Sequence, residues 1–297
     1  MSAAMSMAMS AALPVTPTLA SPSWWGADST RQRTPDGVFV KTMTSFSRGY
    51  ADPETAFAAA TAAGEAGIGP RVFGADPEAG VIAMEDLTDT HKTGTLYDFV
   101  DIEKAAALAA RRRSVRALRP ATTRRAIVFE DIREILERLL SLGAELPSDL
   151  PWMVRAVGDF EKRVDTSGYD LAFAHGDGNV SNTLVHRRTG EVGLIDWDSA
   201  GRMDPMQDLG TLLGEFARFD LEGRALFEAY WGRFDASLYA RARLYAAADA
   251  LKWGLIGAYA DAADPGTFEY SKFSDWQFTW VRQWLAPECA DELIRIV

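Results

Sequence analysis

Hydrophobic and polar residues alternate along short runs in the first ninety or so residues of the chain. The clearest run is Val38–Met43, in which alternation places Phe39, Lys41 and Met43 on one face. Such a period of two is typical of a half-buried strand. We therefore predict a strand here, with a lysine on the same face as two apolar side chains.

A helix is predicted directly after this strand. Asp52 is a suitable cap, Pro53 suits the first turn, and Gly67 follows the alanine-rich stretch as a helix end. Two further apolar runs, 71–73 and 81–84, predict short strands. The segment up to about residue 90 is therefore expected to be small and mixed, with strands around one helix.

Beyond residue 96 the apolar positions recur at helical spacing, most clearly over 129–142. Helical pattern returns from 205 to the end, and only 173–196 interrupts it. This change of pattern predicts three parts: a disordered tail over 1–12, a small domain over 13–90 and a larger, mostly helical domain over 91–297. The fold class is therefore α+β.

The interruption contains a dense polar loop, His175–Asn182, followed by an apolar run, a Thr189-Gly190 turn and a second apolar run. This is typical of a β-hairpin. A turn centred on Thr189 would place Asn182 opposite Asp196, with their Cβ atoms roughly 5 Å apart.

Amide and carboxylate oxygens at one end of a hairpin suit Mg²⁺, and Asp177 lies in the same loop. Asp, Gly and Asn also simply make turns. The density of polar residues favours a functional site.

The charge and residue composition exclude several classes of partner and metal site. The 297-residue chain carries a net charge of -11 and has a pI of about 4.9, which disfavours nucleic acid and anionic membranes as partners. One cysteine, Cys289, and three histidines cannot form a usual zinc cluster, so a metal would need oxygen ligands. We find no signal peptide and no long apolar run, and expect a soluble, cytoplasmic protein.

Seven arginines and no acidic residue lie between 111 and 125. One interpretation is a patch that binds an anion or a partner. The other, which is more common for such charge runs, is a solvated helix face and loop.

The polar loop and its surroundings carry a family resemblance. His175-Gly176-Asp177 with Asn182, then Ile195-Asp196-Trp197-Asp198 and Asp208-Leu209-Gly210, resembles the aminoglycoside phosphotransferase and choline kinase superfamily. Lys41, Glu54 and Met84–Leu87 precede these motifs in the family's order. The resemblance implies a bilobal protein-kinase-like fold, with a small β-rich N-lobe that binds nucleotide and a larger helical C-lobe with the catalytic loop and acceptor pocket.

The resemblance also implies roles for individual residues. Asp177 would accept or orient the substrate hydroxyl, and Lys41 would contact the phosphates of ATP while pairing with an acidic residue. Glu54 is the preferred partner, and Glu65 on nearly the same helical face is the alternative. Magnesium would be held by Asn182, Asp196 and Asp198. Met84, Glu85 and Leu87 would contact the adenine, and His175 and Asp208 would brace the catalytic loop.

Two positions depart from the family pattern. The loop expected to cover the phosphates has only Gly26, leaving Ser29 and Thr30 as candidate phosphate contacts. A histidine common near the end of the first large helix is missing, and Ala109–Arg113 stands in its place.

Aromatic and acidic residues are interleaved in the C-terminal third, which is typical of a pocket for an ammonium group. The candidate substrate residues are Asp249, Trp253, Tyr259, Trp276 and Trp280. Tryptophans four residues apart can equally belong to the core. The leading hypothesis is an ATP- and Mg²⁺-dependent kinase of a choline- or ethanolamine-like alcohol. An antibiotic kinase and a non-catalytic nucleotide-binding regulator remain as alternatives.

Overall fold

The computed structural model describes residues 13–14, 28–217, 220–265 and 270–297. The predicted tail, 1–12, and Gly26 of the predicted phosphate loop lie outside these ranges. Among the described residues, no helix is both long enough and apolar enough to cross a bilayer.

The N-terminal part is an antiparallel sheet with one helix against it. Its strands are β1 (Leu13–Pro14), β2 (Ser29–Arg33), β3 (Val38–Met43), β4 (Val72–Asp76) and β5 (Val81–Glu85), in the spatial order β1-β2-β3-β5-β4. Helix α1 (Pro53–Glu65) begins at the predicted cap, where the Asp52 carboxylate accepts a bond from the Glu54 amide. Phe57 of α1 packs against Met43 and Ile82, so that the predicted strands and helix share one small core.

The C-terminal part is mostly helical, as expected. Its helices are α2 (Ile102–Ser114), α3 (Val128–Leu142), α4 (Leu150–Ser167), α5 (Pro205–Phe216), α6 (Asp220–Trp231), α7 (Ala236–Ala263), α8 (Tyr270–Trp284) and α9 (Pro287–Ile296). Helix α7 is buried along most of its length and is packed by α8, α5 and α3. A helix that is buried on most of its sides is typical of such a central position.

Short strands frame the polar loop. Strands β6 (His91–Thr93), β8 (Thr183–His186) and β9 (Val192–Leu194) form one sheet, and β7 (Ala172–Ala174) pairs with β10 (Gly201–Met203). The loop therefore begins directly after β7 and ends directly before β8. This small sheet and helical body, together with β1–β5 and α1, confirm the predicted bilobal α+β architecture.

The hairpin is present, but the predicted register is wrong by one residue. Thr183 faces Leu194, and the Ile195 amide donates to the Asn182 carbonyl oxygen at 3.0 Å. The turn is centred between Arg188 and Thr189 because the His186 amide donates to the Glu191 carbonyl oxygen and closes a four-residue loop. Asn182 is therefore level with Ile195 and not with Asp196.

The arginines between 111 and 125 do not share one environment. Arg113 and Arg119 are exposed, as a solvated face predicts, whereas Arg112 is only 3% exposed. Arg124 pairs with Asp131 at 2.8 Å. The segment is thus neither a uniform anion patch nor a uniform solvent face.

Candidate active site

A cleft of about 850 Å³ lies where the N-terminal sheet meets the polar loop and the C-terminal helices. Its wall includes residues of β3, of the β5–β6 connection, of the loop after β7, and of α7 and α8. Among the residues that line it are Lys41, Met84, Glu85, Leu87, Asp177, Asn182, Asp196, Asp198, Asp249, Trp253, Trp276 and Trp280. Most of the predicted site residues are thus brought to one cavity.

Asp177 is held by two hydrogen bonds within its own loop. The Asn179 amide donates to one carboxylate oxygen at 2.8 Å, and the Asn182 side-chain amide donates to the other at 2.8 Å. Gly178, between Asp177 and Asn179, has no room for a side chain, because a Cβ there would lie 2.0 Å from the Thr211 carbonyl oxygen. The loop is therefore pressed against α5 with the carboxylate facing the cleft.

Burial raises the pKa of Asp177 to about 6, although the bond from the Asn179 amide lowers it. The nearby charges of Asp196 and Asp249 raise it further. A carboxylate with this pKa is mostly ionised at neutral pH and is more basic than an exposed aspartate, which suits a group that accepts a hydroxyl proton.

His175, which is predicted to brace the loop, is fully buried behind it. Its Nε2 lies 2.9 Å from the Ile195 carbonyl oxygen, and its ring packs on Trp197. Burial and the neighbouring Arg112 charge lower its pKa to about 4. The neutral ring therefore donates from Nε2 and ties the loop to the segment that carries Asp196.

Lys41 makes two ion pairs across the cleft. Its Nζ lies 2.7 Å from Asp196 Oδ1 and 2.9 Å from Asp198 Oδ2. Burial alone would lower the lysine pKa, but the two carboxylates raise it well above its usual value, so the ammonium stays charged.

The predicted pairing of Lys41 with Glu54 is wrong. Glu54 is exposed in the first turn of α1, and among the described residues Lys41 pairs with the two aspartates. Because Glu54 lies at the start of α1, its side chain is in solvent. Its negative charge there also stabilises the helix N-terminus.

Asp28 joins this cluster from the start of β2. Ligand atoms of Asp28, Asp196 and Asp198 all lie within 4.8 Å of one another. Burial raises the pKa of Asp28, while Lys41 lowers it. Three carboxylates around one point form an all-oxygen donor set, which fits a hard cation such as Mg²⁺.

Asn182 can add a further oxygen, because its side-chain nitrogen donates to Asp177 and no hydrogen bond to its side-chain oxygen is found among the described residues. Asp196 itself has φ of 63°, the one left-handed conformation among the described non-glycine residues. Such strain is commonly stored at functional sites.

The opposite end of the cleft is formed by the strand connection and by β3. Met84, Glu85 and Leu87 line it. The Glu85 amide already donates to the Arg71 carbonyl oxygen, and no bond from the Leu87 amide is found within the described chain. Leu87 therefore offers a backbone donor to a ligand.

Ser29 and Thr30 do not have the predicted place. Ser29 is buried and donates to the Asp28 carboxylate at 3.1 Å, while Thr30 is exposed on β2. Of the described residues in this stretch, Asp28 and Arg31 line the cleft instead.

An aromatic wall closes the end of the cleft beyond Asp177. It consists of Trp253 of α7 and, from α8, Phe273, Trp276, Trp280 and Trp284. The α8 tryptophans thus line the cleft, although Trp280 and Trp284 also pack on the core. Tyr259 is not in this wall, because it lies against Gly49, where a Cβ would meet its hydroxyl at 2.7 Å.

Asp249 faces the same end of the cleft but already has a partner. The buried Lys252 ammonium lies 2.8 Å from its Oδ1 and 5.2 Å from the centre of the Trp253 ring. Both predicted substrate contacts are therefore in contact with a cation of the protein itself.

Sequence reasoning missed Asp28 and Glu215, which line the cleft, and Arg112, which lies beneath the catalytic loop. Glu215 lines the cleft and accepts a bond from the Val180 amide of the loop at 3.1 Å. Its spacing from Asp208 and Thr211 on α5 was a usable signal, since residues three and four apart share a helix face. For Asp28 the signal in the sequence is weaker: it is the first charged residue of the chain.

Solved structures with the same fold were found across nearly the whole chain. A choline/ethanolamine kinase family protein from Mesorhizobium loti is 22% identical, with a TM-score of 0.77 over 96% of this chain and 92% of that one. A choline kinase from Streptococcus pneumoniae is 17% identical, with a TM-score of 0.71 over 91% and 94%. An aminoglycoside-3'-phosphotransferase of type VIII is 22% identical, with a TM-score of 0.54 over 82% and 99%.

These likenesses confirm the protein-kinase-like fold. A search of the curated proteins gives no match. A family model described as the phosphotransferase enzyme family matches residues 35–245, which include β3, the polar loop, the hairpin and the first part of α7. The chain is therefore a member of the phosphotransferase enzyme family.

Proposed function

We propose that this phosphotransferase moves the γ-phosphate of ATP, with Mg²⁺, to the hydroxyl of a small cationic alcohol of the choline or ethanolamine type. The observation that carries the proposal is the cleft itself, in which a buried carboxylate, Asp177, lies between a cluster of carboxylates and an aromatic wall. The solved structures with the higher TM-scores, which are described as choline or ethanolamine kinases, support this choice of acceptor.

In the proposed reaction Asp177 binds the acceptor hydroxyl and takes its proton as the oxygen attacks the γ-phosphorus. The bond from the γ-phosphorus to the bridging oxygen breaks, and ADP leaves with that oxygen. The bonds from Asn179 and Asn182 fix the carboxylate, so its orientation is set before the acceptor arrives. In phosphoryl transfer, positioning and charge neutralisation supply most of the catalysis.

Magnesium would be held by Asp196 with Asn182, and Asp198 and Asp28 are close enough to contribute. When bound, the ion neutralises charge on the phosphates. Lys41 is the protein's own cation at this place, and its ammonium would exchange a carboxylate for a phosphate oxygen of the nucleotide. The Leu87 amide and the side chain of Met84 would contact the base. In this proposal the part over 13–90 binds the nucleotide, and the part over 91–297 carries the catalytic loop and the acceptor pocket.

The acceptor's ammonium would lie against the tryptophans near Asp249 and Glu215. Aromatic faces attract a desolvated cation by up to about 2 kcal/mol each, and they do so without requiring a hydrogen bond from it. Such a wall suits a methylated ammonium. Use of ATP favours a cytoplasmic reaction, and one cysteine requires no oxidising compartment.

Magnesium-dependent ADP release over a panel of alcohols tests the proposal. Choline or ethanolamine should give the highest kcat/KM, and Asp177→Asn should reduce the signal to a small residual rate while nucleotide still binds. Better turnover of kanamycin-like compounds would identify an antibiotic kinase instead. Nucleotide binding without turnover of any acceptor would favour the regulator.

A further inference from the structure

Beneath the catalytic loop, two charged side chains form an ion pair that is almost wholly buried. Arg112 is 3% exposed and Asp208 is 0% exposed, and Arg112 Nη2 lies 2.5 Å from Asp208 Oδ1. Arg112 comes from the last turn of α2 and Asp208 from the first turn of α5. Buried pairs of this kind require further hydrogen bonds to offset their desolvation.

Those further bonds go to the backbone on both sides of the peptide unit between Gly176 and Asp177. Asp208 Oδ1 accepts from the Gly176 amide at 2.9 Å, and Arg112 Nη1 donates to the Asp177 carbonyl oxygen. The guanidinium thus binds a carboxylate with one nitrogen and the main chain of the proposed base with the other. Tyr230 completes the group by donating to Asp208 Oδ2 at 2.8 Å.

The backbone at this point has little freedom to compensate for a lost partner. Gly176 has φ of +77°, and a Cβ there would lie 2.4 Å from the Ser199 carbonyl oxygen. The chain passes through a narrow space, so the direction in which Asp177 points follows from the bonds that fix its peptide groups.

We propose that Arg112 is a positioning residue that sets the place of the Asp177 carboxylate through the Asp177 carbonyl oxygen. The inference rests on the proposed function only in taking Asp177 as the base. Arg112 does not contact the cleft, so its effect on the reaction passes through the loop. The role also accounts for one member of the arginine-rich segment that is unlike its exposed neighbours.

Arginine is suited to this role by its geometry. A planar guanidinium presents several donors in a fixed fork, whereas an ammonium is a point charge on a flexible stem. Burial alone would raise the pKa of Asp208, and the Arg112 charge holds it below its usual value, so the carboxylate stays ionised. Lysine at this position would preserve the charge, but it would not bind the Asp208 carboxylate and the Asp177 carbonyl oxygen with two fixed nitrogens.

The test compares Arg112→Lys with two controls. Arg113→Lys makes the same change at the exposed neighbouring residue. Tyr230→Phe weakens the same buried group at Asp208 without touching the loop backbone. For each variant, kcat, the two KM values, nucleotide affinity and the melting temperature are measured.

We expect Arg112→Lys to lower kcat by about 10- to 100-fold, the effect of a small misplacement of a catalytic group, with both KM values within about twofold. Tyr230→Phe should lower the melting temperature but keep kcat, and Arg113→Lys should change neither. If Arg112→Lys does not fold, Arg112→Gln, which can still donate to the carbonyl oxygen without the charge, takes its place and should keep more kcat than Arg112→Met.

A double-mutant cycle separates positioning from general stability. When Asp177→Asn is already present, adding Arg112→Lys should change the residual rate by less than about twofold, because residues that act as a unit are not additive. An equal loss in both backgrounds, or near-normal kcat in Arg112→Lys, overturns the inference. Near-normal turnover by Asp177→Asn alone would instead overturn the proposed function.

Discussion

The Lys41 ammonium lies 2.7 Å from the Asp196 carboxylate, although the two residues are 155 positions apart in the chain. The contact joins the N-terminal sheet to the segment after the hairpin and places a protein cation among the carboxylates proposed to hold magnesium. Lys41 therefore balances part of the negative charge of these carboxylates. A cation that enters this cluster must compete with an ammonium that is already bonded there.

This competition makes Asp196 the first residue to test. Asp196→Asn should weaken nucleotide binding in the presence of Mg²⁺ by about tenfold or more, since it removes a charged ligand and leaves Lys41 to Asp198. Nucleotide affinity is measured across a magnesium titration. Asp159→Asn, which removes an exposed partner of Lys162, is the matched control. An unchanged magnesium dependence in Asp196→Asn would exclude it as a ligand.

The raised pKa of Asp177 predicts the pH dependence of the reaction. The proposed base works only when ionised, so kcat/KM, which reports the free enzyme, should fall as the pH drops through about 6, the pKa to which burial raises this carboxyl. Below that point the slope should approach tenfold per pH unit. The profile is measured with acceptor and nucleotide well below their KM values. A kcat/KM that stays constant to well below pH 6 would contradict a protonation step at Asp177.

Local patterns in the sequence were sufficient for much of the fold and site. The alternation around Lys41, the cap at Asp52 and the turn at Thr189-Gly190 predicted β3, α1 and the hairpin, because each depends on neighbouring residues. The motif from His175 to Asp198 was predicted for the same reason, since its members lie within one loop and one hairpin.

The partners chosen across long distances were less predictable. Glu54 was assigned to Lys41 from the order of family elements, but which acid reaches a lysine depends on how α1 packs on the sheet. Nothing in the sequence distinguishes Arg112 from the other six arginines of its segment. Arg112 is buried because it pairs with Asp208 and with the Asp177 carbonyl oxygen, and both are distant in sequence. The predicted hairpin register was wrong by one residue because the turn has four residues, so its centre lies between Arg188 and Thr189 and not on Thr189.

The ion pair between Lys252 and Asp249 predicts a gain of affinity. Lys252→Met removes the buried ammonium and leaves Asp249 to pair with a cationic acceptor at the cleft. The KM of choline or ethanolamine should fall by about threefold to tenfold, which corresponds to roughly 1 kcal/mol. The neutral dimethylbutanol analogue of choline is the control and should gain nothing. Equal gains for charged and neutral acceptors would show that pocket shape, and not charge, had changed.

His175 predicts a window of acid instability. Burial lowers its pKa to about 4 from an ordinary value of 6.5, so folding favours the neutral ring. The stability this contributes is complete above pH 6.5 and is lost as the pH falls toward 4, by at most about 3 kcal/mol. Urea unfolding of wild type and His175→Gln across this range measures it, since other groups titrate alike in both and the difference isolates the ring. The wild-type advantage should shrink steadily between these pH values. If the difference in unfolding free energy between the two proteins stays constant with pH, folding does not lower the pKa of His175.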